Sequence, residues 1–254
     1  MSVLVDQRGR VVTLTINRPE LHNVLDTQTM GELGKALTAA ETDDSVAVII
    51  LTGAGDRSFC AGLDLTAFAA QGNATLPSEG PGLGVLLTRT YPKPIVAAVN
   101  GRALGVGFEL VLACDLTVAA ESATFAMPEV KRGLVAAGGG ISELPRRVPL
   151  AVALELGLTG ASIDATRAHE LGLVNRITKT GETLDHACRL AETIASNAPL
   201  AVQFTKRHML EVADADLELR KRVRAGLADI LSSEDAREGT MAFAERRTPR
   251  WTGR

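Results

Sequence analysis

The sequence predicts an α/β fold, and three observations predict it. Short runs rich in Val, Ile and Ala alternate with segments whose apolar residues recur at helical spacing. The runs are separated by helix-length stretches, as parallel strand neighbours require, since they need a crossover connection. Aromatic residues make up only 3% of the chain, so Ala, Val and Leu must build the core, which favours close helix packing over an aromatic-rich β sandwich.

Taken in order, residues 11–16 (VVTLTI) read as a strand and 27–40 as a helix. Residues 46–51 (VAVIIL) form a continuous β-branched run ending at the turn Gly53-Ala54-Gly55-Asp56, the pattern of a strand buried on both faces. Residues 95–99 (IVAAV) repeat the arrangement before Asn100-Gly101, and 116–119 give a third such run. Gly, Pro and small polar residues collect at 71–82 (QGNATLPSEGPG), the composition of a surface loop. From about Thr183 the pattern becomes helical throughout, over 183–196, 199–212, 216–231 and 233–244. Pro199 suits a helix start, and Ser233 before Glu234 and Asp235 reads as an N-cap with acids in the first turn. The expected organisation is a core holding the active site over 1–195 and a helical carboxyl-terminal region over 196–254.

A chain of 254 residues, 46% of them hydrophobic, can bury a substantial core, which excludes a disordered chain. The formal net charge of −3 gives no bulk attraction for nucleic acid or a membrane surface. Residues 94–120 are the most apolar, but Asn100, Arg102, Glu109 and Asp115 interrupt them, so they read as buried core and not as a membrane span. The first ten residues carry acid and base without a long apolar stretch, and Cys60, Cys114 and Cys188 lie far apart in no metal-like spacing. Together these predict a cytoplasmic protein with reduced thiols and no metal site.

Two loops could carry chemistry. The first, residues 58–65 (SFCAGLDL), follows a buried strand, and its small residues would let backbone amides approach a ligand. The second, residues 100–109 (NGRALGVGFE), joins a strand to an apolar helix whose start near Gly105 would present free amides. Two such amides could form an oxyanion hole; equally, the glycines could only turn the chain. Gly105-Val106-Gly107 is not the dinucleotide fingerprint, because the third glycine is absent. Glu109 stands in an otherwise apolar helix, where an unpaired carboxylate is costly, so either an Arg partner or catalysis must account for it. Glu129, between FAMP and VKRG, reads either as a loop acid or as a second acid/base. His22, His169, His186 and His208 show no metal spacing.

These residues, taken as an ordered set, resemble the enoyl-CoA hydratase/isomerase, or crotonase, superfamily. The resemblance runs through Asn17-Arg18-Pro19-Glu20 with Asn23, the FCAGLDL loop at 59–65, KPIVAAVNG at 93–101, ALGVGFEL at 103–110 and FAMPEV at 125–130. It continues to AHELGLV at 168–174 and Glu238-Gly239 with Ala242-Phe243. It implies a spiral of ββα units with a helical carboxyl-terminal trimerisation region, assembled as trimers or dimers of trimers. It further implies an acyl-CoA thioester substrate, no cofactor beyond the CoA that the substrate carries, Glu109 and Glu129 as the acid/base pair, and the amides of Ala61 and Val106 as the oxyanion hole. Gly62, Leu63, Asp64 and Gly105 would line the substrate, with His22, Lys93 and Arg246 near the phosphates or adenine of CoA.

The retained glutamate pair favours hydration of a 2,3-enoyl-CoA, since one carboxyl can activate water while the other manages the proton at C2. An enoyl-CoA isomerase, which needs one acid, and a carnitinyl-CoA-type dehydratase are the alternative enzymes; an inactive CoA-thioester-binding subunit is the alternative outside catalysis. Two departures bear on the substrate: Val106 stands where hydratases usually have glycine, and 134–140 (LVAAGGG) stands where many have a Pro-containing stretch.

Overall fold

The computed structural model describes residues 1–70, 83–87, 90–213 and 231–250. The predicted loop at 71–82 and most of the predicted helix at 216–231 lie outside them. A hairpin opens the chain, β1 (Val3–Arg8) pairing antiparallel with β2 (Val11–Ile16). Helix α1 (Thr27–Thr42) then leads to β3 (Val48–Gly53), parallel to β2. Two more long strands, β5 (Ile95–Val99) and β7 (Leu116–Ala120), extend the parallel sheet, which closes with β10 (Arg176–Thr178) in the order β1-β2-β3-β5-β7-β10.

Each of the three central strands is followed by a three-residue strand in a second, smaller sheet. These are β4 (Ser58–Cys60), β6 (Arg102–Leu104) and β8 (Thr124–Ala126), mutually parallel, with β9 (Ser162–Asp164) added antiparallel to β8. Helices α2 (Leu65–Ala70) and α4 (Val106–Ala113) complete the first two turns, with the short α3 (Leu83–Leu87) between them. A 3₁₀ turn (Pro128–Arg132) and α5 (Gly140–Arg147) complete the third. The repeat is a long strand, a short strand and a helix, advancing one strand position at each turn of a spiral. Three-residue strands are too short to display a period, which is why only the long strands were legible in the sequence.

The all-buried pattern of β3 has a direct cause in its two covered faces. Side chains alternate across a strand, so Val48 and Ile50 pack with Val96, Ala98 and Val118 on one face, under Ala187 and Ala191 of α8 (Thr183–Ala195). Ile49 and Leu51 face the main core with Leu33 and Leu37 of α1. Helices α6 (Leu150–Thr159) and α7 (Ala165–Glu170) follow α5, and α9 (Pro199–Ala213) and α10 (Glu234–Ala244) lie in the carboxyl-terminal region. Lys206 of α9 ties that region to the core, donating to Asp115 Oδ2 at 2.7 Å and to the Lys93 carbonyl at 2.8 Å. Among the described residues no helix is long and apolar enough to cross a membrane.

Polar side chains fasten the loops that leave the strands. Asn23 is fully buried in the left-handed region, at φ 57°, a conformation Asn tolerates better than most residues. Its Nδ2 donates to the carbonyls of Ala54 at 2.9 Å and Ser58 at 2.7 Å, and its Oδ1 accepts from the Arg18 amide at 2.9 Å. Asn23→Ala removes three buried or part-buried hydrogen bonds that tie the chain at Arg18, Ala54 and Ser58, and we expect it to lower stability by about 2–4 kcal/mol. The measurement is the shift in denaturant midpoint at unchanged slope; a shift under about 0.5 kcal/mol, the ordinary size for a surface change, would contradict this role.

Candidate active site

A cavity of about 780 Å³ opens beside the amino-terminal end of α4. Glu109, in the first turn of α4, is carried into it with only 1% of its surface exposed. Its Oε1 accepts from the Gly140 amide at 2.9 Å, while its Oε2 is buried without a partner. The glycines at 138 and 140 make this possible: a Cβ at Gly138 would stand 2.7 Å from Glu109 Oε2, and one at Gly140 3.1 Å from Oε1. Glu129, on the 3₁₀ turn after β8, reaches the same cavity from the opposite chain segment, and its Oε2 is likewise buried without a partner.

Burial raises both carboxyls above the ordinary carboxylate range. Glu109 is pushed up to about 8, by desolvation first and then by the charge of Glu129, against which the amides of Gly140 and Gly138 act. Desolvation pushes Glu129 up to about 7, opposed by its own backbone amide and by the Arg132 guanidinium. Near neutral pH the pair therefore holds a proton that two ordinary glutamates would have lost, and it titrates as a unit.

The two glycine-bearing loops meet beside this pair. A Cβ at Gly105 would lie 3.8 Å from Gly62 Cα and 2.9 Å from Glu129 Oε1, and Gly105 has φ 56°, so neither space nor backbone admits a side chain there. The residue after each of these glycines offers an unused amide. Val106 begins α4, and the first amides to bond back within that turn are those of Phe108 and Glu109, both to the Gly105 carbonyl. In the other loop, Leu25 donates to the Gly62 carbonyl at 2.8 Å and Asp64 donates to the Leu25 carbonyl at 2.9 Å, which turns the intervening Leu63 amide the other way. Neither the Leu63 nor the Val106 amide meets an acceptor among the described residues.

Two sequence expectations need correction. The Ala61 amide is not available to a ligand, because it donates to the His22 carbonyl at 3.1 Å; the free amide of that loop belongs to Leu63. Lys93 does not line the cavity: it is 6% exposed, and its Nζ donates to the carbonyls of Ala40 at 2.8 Å and Asp43 at 2.7 Å, satisfying the carboxyl-terminal end of α1. The cavity does bring together Glu109, Glu129, Ala61, Gly62, Leu63, Asp64, Gly105, Val106, His22 and Arg246. The Asp64 carboxylate is committed to structure there, pairing with Arg18 Nη2 at 3.3 Å and accepting from the Ala67 amide at 3.1 Å. Arg132 and Phe243 also line the cavity; the sequence placed neither in the site, although Phe243 is part of the Ala242-Phe243 segment that carries the resemblance. Arg132 lies three residues beyond Glu129, a spacing that could have marked it.

The model of the enoyl-CoA hydratase/isomerase family matches residues 6–254. A carnitinyl-CoA dehydratase of Proteus mirabilis is 40% identical over 260 residues, spanning 100% of this chain and 99% of its own. Among solved structures, a carnitinyl-CoA hydratase from Mycobacterium avium is 41% identical with a TM-score of 0.91. An enoyl-CoA hydratase from Mycobacterium tuberculosis is 48% identical with a TM-score of 0.79. Each covers 100% of this chain and 99% of the other. The chain belongs to the enoyl-CoA hydratase/isomerase family.

The raised carboxyls give a sign to the pH dependence of stability. Glu109 keeps its proton in the folded state to a higher pH than the ordinary value of 4.5, so charging it costs stability progressively as pH rises from about 4.5 toward about 8. Glu109→Gln removes that loss while its amide oxygen can still accept from Gly140. Its melting temperature should therefore gain on the native protein more at about pH 8.5 than at about pH 5. Parallel melting curves across that range would contradict the assignment.

Proposed function

We propose that this chain adds water reversibly across the 2,3 double bond of an enoyl-CoA thioester. One observation carries the reading: two carboxyls, each with an oxygen left unpaired, face the same cavity as two unpaired amides. The thioester oxygen is held by the amides of Leu63 and Val106, which draws electron density from C3. A water between Glu109 and Glu129 attacks C3 as one carboxylate takes its proton, and the π electrons move onto the thioester oxygen as an enolate. The enolate collapses as C2 takes a proton from the carboxylic acid of the pair, so one water is consumed and the pair ends with the proton count it began with. Roles are not divided between the two glutamates, because paired carboxyls titrate as a coupled unit and either can be the one that starts protonated. Dehydration of a 3-hydroxyacyl-CoA, the reaction named for the carnitinyl-CoA dehydratase relatives, is the same path reversed.

Arg102 and Arg246, with His22, line the cavity and suit the phosphates of CoA, and the CoA carried by the substrate is the only cofactor this chemistry needs. A homotrimer or dimer of trimers completes the proposal. Leu150, Leu154 and Leu158 form an apolar stripe along α6, at 61%, 49% and 73% exposure, of the kind that a partner subunit covers. A cytoplasmic enzyme of fatty acyl-CoA metabolism is the setting this reading implies.

Glu109→Gln and Glu129→Gln should each lower hydration of crotonyl-CoA by about 10²–10⁴, read as loss of enoyl-thioester absorbance, while still binding butyryl-CoA. Wild-type turnover in either folded variant would remove that residue from the mechanism. Leu154→Glu should shift the assembly toward monomer in light scattering at micromolar concentration; an unchanged assembly would place the interface elsewhere.

A further inference from the structure

Arg132 ends the 3₁₀ turn that carries Glu129 and lines the same cavity. One Nη donates weakly to the Pro128 carbonyl at 3.3 Å, and the guanidinium lies 4.9 Å from the ring centroid of Phe243 in α10. Its Nε is buried with no acceptor, and among the described residues none meets its second Nη and no carboxylate comes within ion-pairing distance. A guanidinium has five donors and stays charged at any physiological pH, so this one is a cation left largely unsatisfied. Phe243 is the only Phe, Tyr or Trp among the described residues lining the cavity, and Arg132 already covers its face.

We propose that Arg132 sets acyl specificity, selecting enoyl-CoA substrates whose acyl group ends in an oxygen acceptor and rejecting those that carry a quaternary ammonium. The inference rests on the enoyl-CoA reading of the site. A trimethylammonium group needs a free aromatic face or an unopposed carboxylate. Here the aromatic face is occupied by a like charge, and the same charge opposes the pull of Glu129 on a cation. A terminal carboxylate, in contrast, meets the fork geometry that guanidinium donors match. This separates the chain in substrate from its relatives named for carnitinyl-CoA, because the carnitinyl group bears a trimethylammonium.

The test compares butyryl-CoA, glutaryl-CoA and γ-butyrobetainyl-CoA, which differ in the group on C4: hydrogen, carboxylate or trimethylammonium. In calorimetry the wild-type protein should bind glutaryl-CoA about tenfold to a hundredfold more tightly than butyryl-CoA, the range of a charge-assisted hydrogen bond, and γ-butyrobetainyl-CoA most weakly. Arg132→Met should bring the three affinities together, whereas Arg132→Lys should keep the rejection of the ammonium and lose part of the carboxylate preference. Wild-type protein that binds γ-butyrobetainyl-CoA as tightly as glutaryl-CoA would overturn the proposal, and so would a folded Arg132→Met variant with the native order. Turnover of crotonyl-, glutaconyl- and crotonobetainyl-CoA separates the two claims. If the binding order holds but none is hydrated, the reaction is wrong and the role of Arg132 stands.

Discussion

A carboxylate moved from water into an apolar cleft loses solvation that a single hydrogen bond does not return, and this chain places two of them in one cleft. The raising of Glu109 is opposed only by the amides of Gly140, at 2.9 Å, and Gly138, and that of Glu129 only by its own backbone amide and the charge of Arg132. The consequence is a pair that holds a proton where ordinary glutamates would not, which is the state that acid/base work near neutral pH requires. Much of the local sequence follows from making room for it. Side chains at Gly105, Gly138 or Gly140 would collide with a carboxyl oxygen, so the glycines of the LVAAGGG stretch form the wall against which Glu109 lies.

The spiral explains how residues so far apart in sequence reach one place. Each turn ends a buried parallel strand, passes through a short strand of the second sheet and delivers a loop to the same side. The three central turns supply Leu63, then Val106 and Glu109, then Glu129. The amide directions are fixed by polar anchors behind the loops. Asn23 holds the segments at 54 and 58, Asn100 donates to the carbonyls of Gly53 and Gly55, and Arg18 bridges Asp26 and Asp64. Substrate orientation thus depends on side chains that need never touch it.

How far the site was legible in the sequence follows from what periodicity and motif can carry. Strands β2, β3, β5 and β7 and helix α1 were readable because burial on one or two faces leaves a repeating pattern, whereas β1, exposed beyond Val3, leaves none. Glu109 stood out because a charge in an apolar helix demands a reason. The choice between Ala61 and Leu63 was not readable. Amides two residues apart face the same side of a regular extended segment, but Gly62, at φ 101°, interrupts that regularity, and only the bonds to His22 and Leu25 reveal which amide faces the cavity. Lys93 was placed near the CoA phosphates by resemblance alone, and the motif does not reveal that its stem is buried and its ammonium closes the end of α1. Arg132 was overlooked because its meaning comes from Phe243, more than a hundred residues away in sequence, lying beneath it.

The central claim is that the two buried glutamates keep a shared proton near neutral pH. Infrared difference spectroscopy on protein with isotope-labelled glutamate carboxyls reads that proton directly, through the carboxylic-acid C=O stretch followed across a pH titration. The account predicts an acid band persisting above about pH 6, beyond the ordinary glutamate range, and reduced in Glu109→Gln to the part that Glu129 contributes. Complete ionisation of every glutamate by about pH 6 would contradict it.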